Sequence, residues 1–437
     1  MKQIPRGIWV LLSANVVIAL GYGFIAPALP TFARTFNVSF TAATAVVSAF
    51  AVMRLMFAPA TGRLVTTFGE RRIYLTGLLI VAASTLACAF AQTYWQLLVF
   101  RGLGGIGSTM FSISAMALLI RMAPSDIRGR VSGFFSAGFL IGSITGPLIG
   151  AALVGFGLRV PFVVYAVALL VASTVVATQL REVIAPDQEQ GPTGGLIGFR
   201  TAMRDSAYRA ILASNFTQGW ASMGVRVAVV PLFITESLGA GAGMAGIVLA
   251  IYAAGNVLAI LVAGRLSDRF GRRPIMLPGL TITVVATVAL GFSPNVAVAL
   301  ALSVVAGVGS GLFAPTHQAA LADVLGNRQQ GGSALAAYGM SSDLGAVTGP
   351  VIVGFVADRI GFGPAFVLTG VVAAAALVLW MFARETAPVV VGAGPTMTPA
   401  EPADSDAAGT SPAGEPIEDA DPFGGPDVAR RDTTGDR

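Results

Sequence analysis

Long apolar runs dominate this sequence, and they limit its possible folds more than any other feature. A bilayer core about 30 Å thick requires about 20 apolar residues in each spanning helix. Twelve such runs lie between charged or Gly/Pro-bearing breaks, so the pattern predicts twelve transmembrane helices. Because only 11% of the 437 residues are charged, lipid must cover most of the surface. The predicted spans are 8–32, 41–62, 73–91, 94–120, 129–155, 160–180, 208–235, 243–264, 274–292, 295–322, 332–357 and 363–383.

Two polar stretches divide the chain. Residues 181–205 form the only long internal break, and we interpret them as a cytoplasmic linker between an N-terminal bundle at 1–180 and a C-terminal bundle at 206–384. From residue 385 the sequence turns to Pro, Ala, Gly and Asp, which bury too little apolar surface to offset ordering entropy. We therefore predict a disordered cytoplasmic tail at 385–437.

Basic residues are distributed unequally between the two predicted sides of the membrane. Of the 27 Lys and Arg residues, 18 fall on the side that holds both termini and 3 on the other side. The positive-inside rule then places both termini in the cytoplasm of a cell whose inner (plasma) membrane holds the protein.

The two halves repeat one another at a slowly drifting offset. Parallel six-helix repeats with a substrate site between them are the plan of a transporter that rocks its halves about a central cavity. The matching pairs are Pro30 with Pro231 (offset 201), Gly62 with Gly264 and Gly105 with Gly307 (202), and Gly146 with Gly349 (203).

Several kinds of chemistry lack the residues they need. The only cysteine is Cys88 and the only histidine is His317, which excludes disulfide frameworks and Cys- or His-cluster metal sites. The sequence has no G-x-x-x-x-G-K-[ST] motif for ATP and no nucleophile or cofactor constellation. We therefore expect no enzyme activity, no cofactor and no nucleic-acid partner, and we expect a monomer in the lipid bilayer.

The segment from Gly264 to Arg273 resembles the loop signature of the major facilitator superfamily, G-x-L-a-D-r-x-G-r-r. The resemblance implies an all-α membrane fold with two pseudo-symmetric six-helix bundles, and it covers residues 8 to 384. In such a loop Gly permits a tight turn, Asp can cap a helix of the neighbouring half, and arginines hold the cytoplasmic face. The expected gating residues here are Gly264, Asp268, Arg269, Gly271 and Arg272.

The first-half copy of this loop departs from the pattern. Gly62 and Gly69 match, but Thr66 stands where Asp is expected and Glu70 where a basic residue is usual. We assign Gly62, Thr66 and Gly69 to gating, although the loop lacks the aspartate that forms the latch in the family.

Three further motifs resemble those of the twelve-helix drug:proton antiporters of this superfamily. Leu20-Gly21 with Pro27 and Pro30 matches the first-helix motif, and Arg101 to Gly105 matches a fourth-helix R-G-x-x-G motif whose arginine is proposed to move protons. A glycine row in helix five goes with antiport and efflux in the family, although plain helix packing explains any single row equally well. Its residues, which we assign to gating, are Gly138, Gly142, Gly146, Pro147 and Gly150.

Few charges lie inside the predicted membrane region, and each needs a partner or a cavity. Asp343 is the only acidic residue placed deep in the membrane, and we hypothesise that it pairs with Arg54 or Arg226 in one state and is protonated in another. The alternative is a permanently paired structural aspartate. Arg101 has either a functional role or a structural role as a hydrogen-bond anchor of the helix bundle. His317 is either a polar residue that is hydrogen-bonded within the fold or a residue that takes part in proton coupling.

The family resemblance implies that helices one, four, seven and ten line the cavity. Aromatic and Met side chains there form an adaptable wall for substrates defined by shape. Any single one of these side chains is explained more readily by helix packing than by contact with substrate. The candidate contacts are Asn15, Tyr22, Phe24, Ser108, Met110, Asn215, Gln218, Trp220, Met223 and Phe313.

Together these features predict a secondary transporter that exports small amphiphilic drugs or metabolites in exchange for protons. Helices one and four contain no acidic residue, which argues against a dedicated organic-cation pump and leaves a neutral or anionic substrate. Two alternatives stay open: an importer of the same fold, and a non-transporting receptor or scaffold that works through its tail. Deletion of residues 386–437 tests the second alternative, because unaffected transport would exclude a receptor or scaffold that works through its tail.

Overall fold

Twelve long helical segments make up the part of the chain that the computed structural model describes, namely residues 6–122, 128–180, 199–325 and 333–387. In the first half these are α1 (Arg6–Arg34), α2 (Phe40–Phe68), α3 (Glu70–Ala89), α4 (Tyr94–Met122), α5 (Arg128–Val154) and α6 (Val160–Gln179). In the second half, α7 denotes the helical run from Ser206 to Ser237, followed by α8 (Ala242–Phe270), α9 (Arg272–Leu290), α10 (Val296–Leu325), α11 (Ser333–Ile360) and α12 (Phe362–Met381). A single-turn helix, Phe199–Ala202, precedes α7.

Eleven of these segments contain a stretch that is long and apolar enough to cross a membrane. The remaining one, α7, is interrupted: α-helical Ser206–Thr217 and Arg226–Leu232 alternate with π-helical Gln218–Val225 and Phe233–Ser237. The wider i→i+5 turns of a π-helix occur mostly at functional sites, and they rotate the faces that the following residues present.

The packing repeats between the halves as the sequence offsets predict. A Cβ on Gly105 would lie 2.3 Å from the carbonyl oxygen of Phe50, and one on Gly307 would lie 2.1 Å from that of Tyr252. Both pairs are 202 residues apart, so α2 packs on α4 as α8 packs on α10. The internal repeat read from the sequence is therefore present in the structure.

The glycine row of α5 forms the surface against which α1 packs. A Cβ added to Gly142 would lie 2.4 Å from the Cβ of Ala19, and one on Gly146 would lie 2.8 Å from the Cα of Gly23. Gly138 and Gly150 are similarly tight against α1. Glycine at these positions thus permits an approach that any side chain would prevent.

The two turns that end α2 and α8 are each made by one glycine. Gly69 has φ 83° and Gly271 has φ 97°, a region that L-residues with a side chain rarely adopt. Gly62 and Gly264, which open the loop signature, lie inside α2 and α8 instead. We name the end of the bundle that holds these turns the basic end.

At the opposite end the two halves touch one another. The rings of Phe40 and Phe362 are 5.0 Å apart, and a Cβ on Gly354 would lie 2.3 Å from the hydroxyl oxygen of Thr44. A Cβ on Gly246 of α8 would lie 2.7 Å from the carbonyl oxygen of Pro147 in α5. At the basic end, by contrast, Cβ atoms on Gly62 and Gly264 would meet no described atom outside their own helices within 4 Å. We name the end at which the Phe40 and Phe362 rings pack together the closed end.

The domain boundaries expected from the sequence stay predictions. Residues 181–198 of the expected linker and 388–437 of the expected tail lie outside the described residues. Glu385 to Ala387, which the sequence analysis assigned to the tail, are described and are hydrogen-bonded near the start of α9.

Candidate functional site

A cavity of about 450 Å³ lies between α1, α2, α3, α4, α5, α6, α7 and α11, so side chains from both halves form its wall. Most of the wall comes from the first half, and the second half contributes Met223, Ser342, Asp343 and Ala346. The volume falls in the range of small-molecule binding sites. Phe135, Phe139 and Met116 provide an apolar surface within it.

Two cations and one anion line this cavity. Arg54 of α2 and Asp343 of α11 face it from opposite halves, and Arg54 is the cation whose charge acts on the Asp343 carboxylate. Arg101 of α4 is the second cation. The structure therefore brings together three of the five charged or titratable residues singled out from the sequence.

Arg101 is deeply buried and has no acidic partner among the residues that the structure describes. Its side chain is 7% exposed, its guanidinium carbon lies 4.1 Å from the centre of the Phe50 ring, and its Nε has no hydrogen-bond partner. Stacking on an aromatic face stabilises a cation but does not neutralise it. The hydroxyl groups of Tyr22 and Tyr165 belong to the same cavity wall.

Arg226 repeats this arrangement in the second half. Its side chain is 6% exposed, and its guanidinium carbon lies 3.3 Å from the centre of the Tyr252 ring. Nε and Nη1 of Arg226 have no hydrogen-bond partner. Arg226 is not part of the cavity wall, but Met223, one turn earlier in α7, is.

His317 lies away from the cavity in the core of the second half. It is 1% exposed, its ring centre is 5.9 Å from those of Phe313 and Tyr338, and neither ring nitrogen has a hydrogen-bond partner. Its role in coupling stays a prediction.

Of the ten residues expected to contact substrate, the cavity wall includes four: Asn15, Tyr22, Ser108 and Met223. The other six take part in helix packing, and their contact with substrate stays a prediction: Phe24, Met110, Asn215, Gln218, Trp220 and Phe313. Helices α1, α4 and α7 line the cavity as expected. Among the described residues α10 contributes none of the wall, whereas α2, α3, α5, α6 and α11 do.

A carboxylate that the sequence analysis missed joins the halves at the closed end. Asp358 of α11 accepts hydrogen bonds from the backbone N–H groups of Phe40 and Thr41, both 2.7 Å long, and from the Thr41 hydroxyl. It therefore caps the N-terminus of α2, where the helix dipole favours negative charge. Arg34 and Glu236 form a second link between the halves, 3.4 Å long.

At the basic end, the second-half loop is tied to its own half. Asp268 pairs with Arg272 at 2.5 Å, and Arg272 also donates to Asp323 of α10 at 2.9 Å. Glu385 accepts hydrogen bonds from the backbone N–H groups of Arg272 and Arg273, so it caps α9. Partial burial raises the pKa of the Glu385 carboxyl, but the surrounding backbone N–H groups lower it further, so its pKa lies below the usual value.

The first-half loop is linked differently among the described residues. The Thr66 hydroxyl donates to the carbonyl oxygen of Arg63 in its own helix, and Glu70 pairs with Arg121 of α4 at 2.5 Å. No carboxylate stands at position 66 to match Asp268.

Comparisons with known proteins point to one family. The family profile described as Major Facilitator Superfamily matches residues 11–223 and 211–414. Multidrug resistance protein 2 of Bacillus subtilis (strain 168) is 25% identical over 364 residues, which cover 81% of this chain and 89% of that protein. Tetracycline resistance protein, class H, of Pasteurella multocida is 26% identical over 339 residues, which cover 75% of this chain and 83% of that protein.

Solved structures agree on the fold. A bacterial homolog of the human lysosomal transporter Spinster, in an inward-facing and occupied conformation, matches with a TM-score of 0.70 at 16% identity, covering 87% of this chain and 97% of that chain. The twelve-helix architecture expected from the sequence is confirmed.

Proposed function

Because this chain belongs to the major facilitator superfamily, we propose that it is a secondary transporter that exports small amphiphilic drugs or metabolites in exchange for protons. The observation that carries the proposal is the cavity between the halves, which holds a carboxylate from one half opposite an arginine from the other. The relatives named for multidrug and tetracycline resistance support export of drug-like molecules.

We place the protein in the inner (plasma) membrane as a monomer, with its basic end and both termini in the cytoplasm. The positive-inside rule supports this orientation, since the arginines of both loops lie at the basic end. On this orientation the cavity is accessible from the cytoplasm and the contacts at the closed end seal it from outside. This is the state in which an exporter loads its substrate.

The pair Asp343 and Arg54 is our candidate for the coupling element. Both line the cavity, so a proton or a substrate that enters it can reach them. Protonation of Asp343 would remove the attraction to Arg54 across the halves and favour their rearrangement. If Asp343 instead stayed charged in every state, its attraction to Arg54 would hold the halves together without coupling transport to protons.

Transport into everted membrane vesicles with an imposed pH gradient tests both direction and coupling. We expect gradient-dependent uptake of ethidium or dansyl-glycine by vesicles that contain the wild-type protein, and loss of the gradient dependence in Asp343→Asn. Asp205→Asn is the matched control, because Asp205 lies outside the cavity wall and Asn also caps a helix. The change removes the ion pair of Asp205 with Arg384, which lies within the second half.

Two results would contradict the proposal. Normal proton-driven uptake by Asp343→Asn would exclude Asp343 as the coupling residue. Accumulation of substrate in intact cells that depends on the protein would establish an importer instead.

A further inference from the structure

The membrane interior of the described chain has more positive than negative charge. Arg54, Arg101 and Arg226 lie there, whereas Asp343 is the only acidic residue among the charges that line the cavity. A charge held away from water costs several kcal/mol unless a partner neutralises it. Asp343 faces Arg54, so it does not neutralise the other two arginines.

Arg101 and Arg226 have equivalent aromatic surroundings, although they belong to helices that do not match in the repeat. Each guanidinium lies on an aromatic ring, and these rings, Phe50 and Tyr252, occupy matching positions 202 residues apart in the repeat. The arginines themselves come from different helices, α4 and α7. The same local environment for a cation has therefore been built twice from different parts of the repeat.

Both environments lack a counter-ion. Among the described residues no acidic side chain lies within 4.0 Å of either arginine, and Nε of each has no hydrogen-bond partner. The arginines are 7% and 6% exposed, so bulk water does not compensate for the missing bonds. Each site thus has free donors suited to an oxyanion.

Polar groups and adaptable apolar side chains surround these donors. Near Arg226, the Ser222 hydroxyl lies 2.9 Å from the Tyr252 hydroxyl and 3.3 Å from that of Ser310. Near Arg101, the cavity wall combines Tyr22 and Tyr165 with phenylalanine and methionine side chains. Such a surface accommodates an amphiphile with one charged group and a variable apolar body.

We propose that the transported amphiphiles are anionic and carry a carboxylate or a similar oxyanion. Arg101 binds this group in the state described here, and Arg226, one turn beyond Met223 of the cavity wall, binds it after the halves rearrange. The inference rests on the proposed transport function, because it names the substrate class of the same cavity.

Three dansyl probes that share one apolar body and differ in their charged or neutral terminal group test the proposal on the purified full-length protein. Dansyl-glycine has a carboxylate, dansyl-glycinamide is neutral, and dansyl-ethylenediamine has an ammonium group. Because a hydrogen bond to a charged group contributes about 1.5–3 kcal/mol, we expect dansyl-glycine to bind about tenfold or more tightly than the amide in a fluorescence titration. The ammonium probe should bind more weakly than both.

Substitution of the arginines should remove this preference selectively. Arg101→Gln should bring the affinity for dansyl-glycine close to that for the amide, while affinity for the amide changes little. Arg226→Gln should have its main effect on transport of dansyl-glycine, and Arg226→Lys should retain part of it. Arg209→Gln, an exposed arginine of the same segment α7, is the control and should bind all three probes like wild type.

The probe series on the wild-type protein decides the question even where a variant fails to fold. If dansyl-glycine binds no more tightly than its amide, or does not bind, the proposal is wrong. Equal losses for all three probes in a folded Arg101→Gln would likewise overturn it, because they indicate a structural role. Proton-driven uptake of ethidium in the same vesicles would then leave the transport function standing without the anionic substrate class.

Discussion

The two ends of the interface between the halves are built differently. At the closed end, Asp358 of the second half caps α2 of the first, and aromatic rings pack across the boundary. At the basic end, the carboxylates Asp268 and Glu385 bind within their own half, and Thr66 occupies the position where the first half would provide one. The closed end thus has a charged latch across the halves, whereas the first-half loop lacks the residue for its equivalent.

This difference bears on the conformational equilibrium of the transporter. Each state is stabilised by the contacts that it alone makes, so removing a latch shifts the population toward the other state. We infer that the contacts at the closed end favour the state described here. Changing either end should therefore shift the equilibrium in a predictable direction.

The largest shift is expected from Asp358→Asn. The amide has one acceptor oxygen and no charge, so it loses a charge-assisted bond to the N-terminus of α2, at a cost of about 2 kcal/mol. Spin labels at Gln92 and Ala297, exposed at the closed end, should report longer distances by pulsed EPR. A pair at Gln179 and Phe382, exposed at the basic end, should report shorter ones.

The labelling background and the control are available in the chain itself. Cys88 is buried and is replaced by Ala to leave only the introduced cysteines. Asp205→Asn, the same chemical change outside the interface between the halves, breaks a pair with Arg384 inside the second half and should leave the distances at the closed end unchanged. Unaltered distributions in Asp358→Asn would mean that the other contacts, namely ring packing, the close glycine approaches and the Arg34–Glu236 pair, seal the closed end.

The sequence predicted the transmembrane helices and the charges inside them well, because both can be recognised within short stretches of sequence. Each helix shows itself as an apolar run, and charges such as Arg54, Arg101 and Asp343 stand out within those runs. The repeat offset of 202 correctly matched Gly105 with Gly307 because both glycines serve the same close helix contact.

Other features depend on distant partners or on helix phase and were not predictable. Asp358 resembles an ordinary polar residue near a helix end, and its partner Phe40 lies 318 residues earlier. Glu385 was assigned to the tail because the composition changes there, although its carboxylate caps α9. In α7 the π-helical turns rotate the faces of the helix, so that Gln218 and Trp220 pack within the second half.

Thr66→Asp should provide the basic end with the carboxylate that it lacks. Thr66 lies two residues before the end of α2, as Asp358 lies two residues before the end of α11. The N-terminus of α11, at Ser333, lies at the basic end, so an aspartate at position 66 can reach and cap it when the basic end closes. We expect a shift of about 1 kcal/mol, roughly fivefold, toward the state closed at the basic end. The label pair at the basic end measures it.

Thr67→Asp separates this latch from a general effect of charge. Thr67 is the next residue, is exposed, and also donates its hydroxyl to the carbonyl oxygen of Arg63, but it faces another side of α2. An equal shift in Thr67→Asp would show that added charge, rather than capping of α11, moves the equilibrium.

The smallest effect is expected from Glu236→Gln, which removes the ion pair with Arg34 at the closed end. The two side chains are 36% and 29% exposed and 3.4 Å apart, so water and salt screen their attraction. We expect a shift of less than about 0.5 kcal/mol toward opening, which disappears at about 1 M salt because the Debye length there is about 3 Å. Asp358 accepts two backbone hydrogen bonds of 2.7 Å, so the part of its contribution that comes from these bonds should persist at that salt concentration, whereas the helix-dipole part is screened. A shift in Glu236→Gln as large as that in Asp358→Asn, or one that resists salt, would make the exposed pair the main latch of the closed end.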